Sequence, residues 1–172
     1  MRDWLATPAS LTARLVGAST TFRVRRLHQQ TAPGALEEVA ALGLARRARV
    51  RERDVLLCCD GVPVVFGHTV VPLSATARDW PLFSALGERS LGATLFYDPL
   101  VKRGPLEFAR LNHDHPLLAR VRTALGAPDL DKHVFHARRC VYRRHQGLLM
   151  VTEVFLPAVL NLAGNNKQRE LK

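Results

Sequence analysis

Segment 47–71 limits the folds open to this chain more than any other. Its centre, Val55-Leu56-Leu57-Cys58-Cys59, is apolar on both faces of the strand it would form. Asp60-Gly61 follows, a dipeptide that accepts the left-handed backbone of a two-residue hairpin turn. Residues 62–71 (VPVVFGHTVV) then run back as the partner strand, and Pro72 closes the hairpin. A second hairpin is predicted near the end of the chain, with strands over 134–144 and 148–156 joined across His145-Gln146-Gly147. Residues 20–27 (TTFRVRRL) alternate, Phe22 and Val24 against Arg23 and Arg25, as a half-buried strand does.

Between the hairpins the pattern is helical. Short helices are predicted over 80–86, 91–97 and 106–111, separated by glycine or proline. Residues 116–125 (PLLARVRTAL) give the clearest one, with Pro116 at its first position and Gly126 past its end. Near the N-terminus, Ser10 caps a helix over 10–15. Residues 31–34 read as a turn and 126–132 as a loop. Strands paired through short turns, with helices gathered between two hairpins, define an α+β fold on an antiparallel sheet of five or six strands. No glycine-rich loop has the spacing of a phosphate-binding strand-to-helix turn, which argues against a doubly wound fold. The 172 residues make a single domain over 1–160 and a polar tail over 161–172 that is expected to fray.

Composition removes several function classes. No window of about 18 apolar residues exists, so no membrane span is expected. The N-terminus has neither the apolar stretch nor the cleavage site of a secretory leader, so secretion is not expected and a cytoplasmic location is. Cys58, Cys59 and Cys140 lack metal-ligand spacing and read as small core residues in a reducing compartment. His113-Asp114-His115, in a polar linker ahead of Pro116, reads as a solvated loop rather than a metal site. The net charge is +10, and 21 of the 25 basic residues are arginine, whose planar fork grips carboxylates and phosphates. Charge alone admits nucleic acid, anionic lipid or a small anionic substrate. Neither an RNA-recognition aromatic motif nor a zinc finger accompanies it, which counts against nucleic acid.

Two charges break the apolar pattern. Glu153 lies inside LLMVTEVFLP, on the strand face of Val151 and Phe155, where an ionised carboxylate is costly unless it is paired or hydrogen-bonded. Arg53 stands where the arginine-rich start of its strand becomes apolar, on the face of Val55 and Leu57, and a buried arginine needs an anion. Two arrangements satisfy both residues. They pair with each other, or sit at an edge, as structural charges. Alternatively they face one closed pocket from opposite ends, Arg53 clamping an acid group and Glu153 accepting a hydrogen bond from a hydroxyl.

Residues 53–72, RDVLLCCDGVPVVFGHTVVP, resemble the central block of the chorismate lyases: an arginine, an apolar LLC run, a DG turn and a G-x-TVVP strand end. The likeness continues through Leu86-Gly87, Ser90-Leu91-Gly92 and Leu95-Phe96, takes in Arg138-Arg139, and ends in Thr152-Glu153-Val154-Phe155-Leu156-Pro157. Asp3-Trp4-Leu5 and the SLT-x-R of residues 10–14 match the family's first helix, so the ordered set runs from residue 3 to about 158. The resemblance implies a six-stranded antiparallel sheet whose ligand lies in an internal cavity under helical flaps. It implies conversion of chorismate to 4-hydroxybenzoate and pyruvate without cofactor or metal, the first step toward the ubiquinone ring, by a monomer. By position, Arg53 would hold the ring carboxylate and Glu153 the 4-hydroxyl. Leu11 and Leu91 would supply further ligand contacts, in part through backbone N–H groups. The other reading that this fold admits is a non-catalytic effector-binding domain of a transcription regulator. The chain departs from the family pattern over 111–133, an insertion whose role the sequence leaves open between covering the pocket and meeting a partner.

Overall fold

Six strands form one open antiparallel sheet: β1 (Phe22–Pro33), β2 (Arg49–Cys59), β3 (Val62–Pro72), β4 (Val101–Leu111), β5 (Phe135–Arg144) and β6 (Gly147–Phe155). Their order across the sheet is β1-β2-β3-β6-β5-β4, each neighbouring pair antiparallel, which leaves β1 and β4 at the edges. The computed structural model describes residues 1–7, 9–127 and 134–162, with Ala93 described by its backbone alone.

Turn chemistry sets the register of the central hairpin. Cys59 pairs with Val62, and Asp60 and Gly61 both take positive φ, 50° and 81°, so that the turn's twist matches that of the strands. Asp60 Oδ1 also accepts from the backbone N–H of Thr20 and Thr21 at 2.9 and 2.8 Å, which ties the start of β1 to this turn. In the second hairpin Arg144 pairs with Gly147, and the turn residue His145 has a φ of 52°.

Helices cover both faces, which accounts for the continuous apolar run in β2. On one face lie α1 (Arg2–Leu5) and α2 (Leu11–Gly17), whose Trp4, Leu11 and Leu15 are buried against Val55, Leu57 and Val65. The same face carries α4 (Leu73–Thr76), a 3-10 turn (Pro81–Ala85) and α5 (Leu91–Tyr97), packed on Cys140, Tyr142 and Leu149. The other face is covered by α3 (Leu36–Ala41) and α6 (Pro116–Leu125). Leu117, Leu118 and Val121 of α6 meet Leu56, Phe66 and Val154 there. The side-chain period of two thus sends Cys58 and Cys59 into different cores, and burial pushes both thiols up in pKa.

Two helix starts follow the sequence rules. Ser10 accepts from Ala13 N at 3.3 Å to cap α2, and α6 begins at Pro116 and ends at Gly126 in the left-handed region. The segment 106–111 corrects the expectation of a helix: it is the second half of β4, paired from Leu106↔Cys140 to Leu111↔Phe135. LEFARL satisfies helix propensity as well as strand alternation, and pairing with β5 decides between them. The register shift between Arg103 and Leu106 places Pro105 at a bulge of an edge strand, where its missing N–H costs no ladder bond. The turn expected over 31–34 begins later, because β1 stays paired to Pro33. Most of the loop expected over 126–132, and the tail from residue 163, lie outside the described residues.

Candidate active site

The two out-of-pattern charges reach one internal cavity without touching each other. In the register, Arg53 lies across from Thr69 of β3, and Glu153 lies across from Gly67 of β3 and Arg138 of β5. All five residues share the sheet face under α2 and α5, and all five line the cavity. Gly67 lies between Val55 and Glu153, and a Cβ there would stand 3.1 Å from Val55 Cγ2, so its missing side chain helps to keep the floor open. Leu11 and Leu91, the first residues of α2 and α5, close the cavity from above and are themselves buried. Those helices meet where Thr12 Oγ1 and Ser90 Oγ share a hydrogen bond of 2.7 Å.

Arg53 is 2% exposed, yet no carboxylate pairs with it among the described residues. Its Nη2 donates to the carbonyls of Gly87 and Arg89, each at 3.0 Å, and its buried Nε–H has no partner. Gly87 reaches that position with a φ of 55°. Burial, with repulsion from Arg26, lowers the Arg53 guanidinium to a pKa of about 10. It therefore remains charged at neutral pH, a desolvated cation with a free donor beside a cavity.

Glu153 is paired, but its partner is Arg138. Arg138 Nε donates to Glu153 Oε2 at 2.5 Å, while Nη1 donates to the carbonyls of Leu5 and Thr7 at 3.0 and 3.1 Å. Of the two arrangements open in the sequence, the direct Arg53–Glu153 ion pair is absent and neither residue is at a sheet edge. The role of Arg138 was missed in the sequence, although register carries it: counting back from the turn at His145-Gln146 puts residue 138 opposite residue 153. Tyr142, a further lining residue, is buried, and burial pushes its phenol well above the ordinary range.

The cavity is a small one of about 50 Å³, floored by the sheet and covered by α2 and α5. Outside Thr12 and Ser90 runs an open groove bearing Arg23, Arg25 and Arg89. A larger hollow of about 240 Å³ lies on the opposite face, between α3 and the start of α6. Its one basic side chain from the outer face of β5, Arg139, is matched by Glu107, whereas the inner cavity holds an unmatched guanidinium. The helix α6, within the segment 111–133, lies on that opposite face and does not itself cover the pocket, which leaves contact with a partner as the other role open to it.

Among the described residues no group of three or more His, Cys, Asp or Glu side chains is arranged to hold a metal ion, and no helix is long and apolar enough to cross a membrane. His113 pairs with Asp114 in the open, and His115 caps α6 by accepting from Leu117 N at 3.2 Å.

Comparison with known proteins bears on the whole chain. A sequence model of the chorismate lyase family matches residues 1–164. A protein of Cupriavidus pinatubonensis named "probable chorismate pyruvate-lyase" is 47% identical over 163 residues, covering 93% of this chain and 82% of its own. One of the same name from Ralstonia nicotianae is 48% identical over 157 residues, covering 91% and 80%. Among solved structures, the effector domain of PhnF from Mycobacterium smegmatis superposes with a TM-score of 0.56 at 15% identity, covering 87% of this chain and 89% of that one. The C-terminal domain of the histidine utilization repressor from Pseudomonas syringae gives 0.56 at 11%, covering 80% and 93%. These two share the fold.

Proposed function

This chain belongs to the chorismate lyase family, and we propose that it converts chorismate to 4-hydroxybenzoate and pyruvate in the cavity between Arg53 and Glu153. The observation that carries the proposal is the buried, carboxylate-free guanidinium of Arg53, opposed on the same face by a carboxylate. Two strand spacings across and two residues along separate their Cα atoms by roughly 12 Å.

In this reading Arg53 holds the ring carboxylate, and Glu153, oriented by Arg138, accepts from the 4-hydroxyl. Leu11 and Leu91 cover the ring, and backbone N–H groups at the starts of α2 and α5 receive the side-chain carboxylate. The reaction breaks the bond from C3 to the enolpyruvyl oxygen and removes the hydrogen from C4. That hydrogen passes to the methylene carbon of the leaving enolpyruvyl group, which departs as pyruvate, and the ring becomes aromatic. Aromatisation supplies the driving force, so the protein has chiefly to fix a compact conformer, exclude water and tolerate shifting charge. No cofactor takes part. The enzyme works as a monomer in the cytoplasm, at the first step toward the ubiquinone ring, and its surface arginines draw in a dianionic substrate.

The test is direct: purified protein is incubated with chorismate alone, and 4-hydroxybenzoate and pyruvate are followed. Equal amounts of both, without added metal or nucleotide, are expected, and no turnover would sink the reading. The likeness to effector domains keeps one alternative in view, a binding domain without catalysis. Tight binding of 4-hydroxybenzoate with no turnover of chorismate would select it.

A further inference from the structure

The helix α6 lies on the face away from the cavity, yet it grips the strand that carries Arg53. Along β2 the sequence Glu52-Arg53-Asp54 alternates, sending Arg53 into the cavity and both carboxylates through to the other side. There Arg120 of α6 spans them with one guanidinium, Nη2 to Glu52 Oε2 at 2.9 Å and Nη1 to Asp54 Oδ2 at 3.1 Å. Glu52 and Asp54 are 2% and 1% exposed, so their charges need partners. The remaining oxygens are also held. Glu52 Oε1 bonds His28 at 3.1 Å and Gln30 at 2.9 Å, and Asp54 Oδ1 bonds His68 Nδ1 at 2.5 Å. His68 Nε2 reaches Glu38 of α3 at 2.8 Å.

We propose that Arg120 is a positioning residue for Arg53: α6 supplies a forked cation that fixes both strand neighbours of the ligand-binding arginine from behind the sheet. The inference rests on the function proposed above and gives the insertion a task within it. Arg53 shares its two peptide groups with Glu52 and Asp54, so a twist or shift of either moves the Arg53 Cα and is magnified along its long side chain. A misplacement of about 1 Å can cost a hundredfold in rate. Burial alone would push the Glu52 and Asp54 carboxyls up, but Arg120, with Gln30 and His68, holds both below the usual range. Without the fork, two buried carboxylates flanking Arg53 would be drawn toward other donors or toward water.

The test compares Arg120→Met and Arg120→Lys with the unsubstituted protein. It measures calorimetric affinity for 4-hydroxybenzoate and for 4-hydroxybenzamide, together with chorismate turnover. Arg120→Met is expected to weaken 4-hydroxybenzoate about tenfold, with kcat/KM falling alike, and to leave the amide's affinity within about twofold, because the coupling runs through the ligand carboxylate. Arg120→Lys, which keeps the charge and so protects the fold, loses the two-point grip and should show about a threefold loss of the same selective kind. Unchanged affinity for 4-hydroxybenzoate in both variants, or equal weakening of benzoate and benzamide, overturns the role of Arg120 and leaves the lyase reading intact. An unsubstituted protein that neither binds 4-hydroxybenzoate nor consumes chorismate overturns the lyase reading, and the role of Arg120 with it.

Discussion

Arg138 donates to Glu153 Oε2 at 2.5 Å and, through Nη1, to the carbonyls of Leu5 and Thr7 at 3.0 and 3.1 Å. One buried guanidinium on β5 thus orients the cavity's carboxylate and fastens the N-terminal segment beside the sheet. The two arginines of the cavity are divided in labour: Arg138 is paired with a carboxylate of the protein, whereas Arg53 has none among the described residues and keeps its Nε–H free.

Removing Arg138 should cost stability. Arg138→Met would leave Glu153 without its cation and deprive two carbonyls of their donor. The expected loss is about 3 kcal/mol in urea denaturation, typical of breaking a buried pair from one side. Adding Glu153→Gln in the same chain should recover part of it, since a neutral amide is cheaper to leave there. Full stability of Arg138→Met alone would show that the pair contributes nothing.

Arg53 should behave in the opposite way. Arg53→Met removes a desolvated cation that has no carboxylate to abandon, although it releases the carbonyls of Gly87 and Arg89. Stability is therefore expected to stay within about 1 kcal/mol of the unsubstituted protein. Affinity for 4-hydroxybenzoate, measured by calorimetry, should drop about a hundredfold with loss of a charge-assisted pair. A large loss of stability with affinity retained would make Arg53 a structural residue.

How legible these features are in the sequence depends on how local their causes are. Asp60-Gly61 specifies its turn within two residues, and Ser10, Pro116 and Gly126 mark helix ends by their own chemistry, so these can be read directly. The strand over 106–111 depends on β5, more than twenty residues away, and nothing within LEFARL records that partner. Arg53 and Glu153 stand out because each interrupts an apolar face. Glu52 and Asp54 are buried as deeply, but RERD reads as the solvated end of a strand until α6 is seen to cover it. The partner of Glu153 lies between these cases, implied by the hairpin register but unmarked by composition.

Glu153→Gln separates positioning from proton abstraction. The amide oxygen can still accept from Arg138, and the side chain keeps its shape. If Glu153 orients the substrate while the enolpyruvyl group takes the hydrogen, kcat should fall only about tenfold. General-base catalysis is worth about 10²–10⁴-fold, so a thousandfold fall would assign the proton to Glu153. Single-turnover mixing with chorismate reads the chemical step apart from product release.

His68 sets an alkaline limit to stability. It is 1% exposed. Burial opposes its charge, but hydrogen bonds and attraction from Asp54 and Glu38 raise its pKa from 6.5 to about 9. A histidine raised in the folded state contributes stability that is fully present below its unfolded pKa and is lost as pH rises through the folded one. Melting temperature should therefore decline from about pH 6.5 to pH 9, the whole limb amounting to at most about 3 kcal/mol. On the acid side Glu52 and Asp54, held low, act with the opposite sign: their contribution is present above the unfolded carboxyl range and fades as pH falls below it. His68→Gln should lower stability at pH 6 and flatten the decline above it. An unsubstituted protein whose melting temperature holds constant between pH 6.5 and 9 would show that His68 is not charged between its two carboxylates.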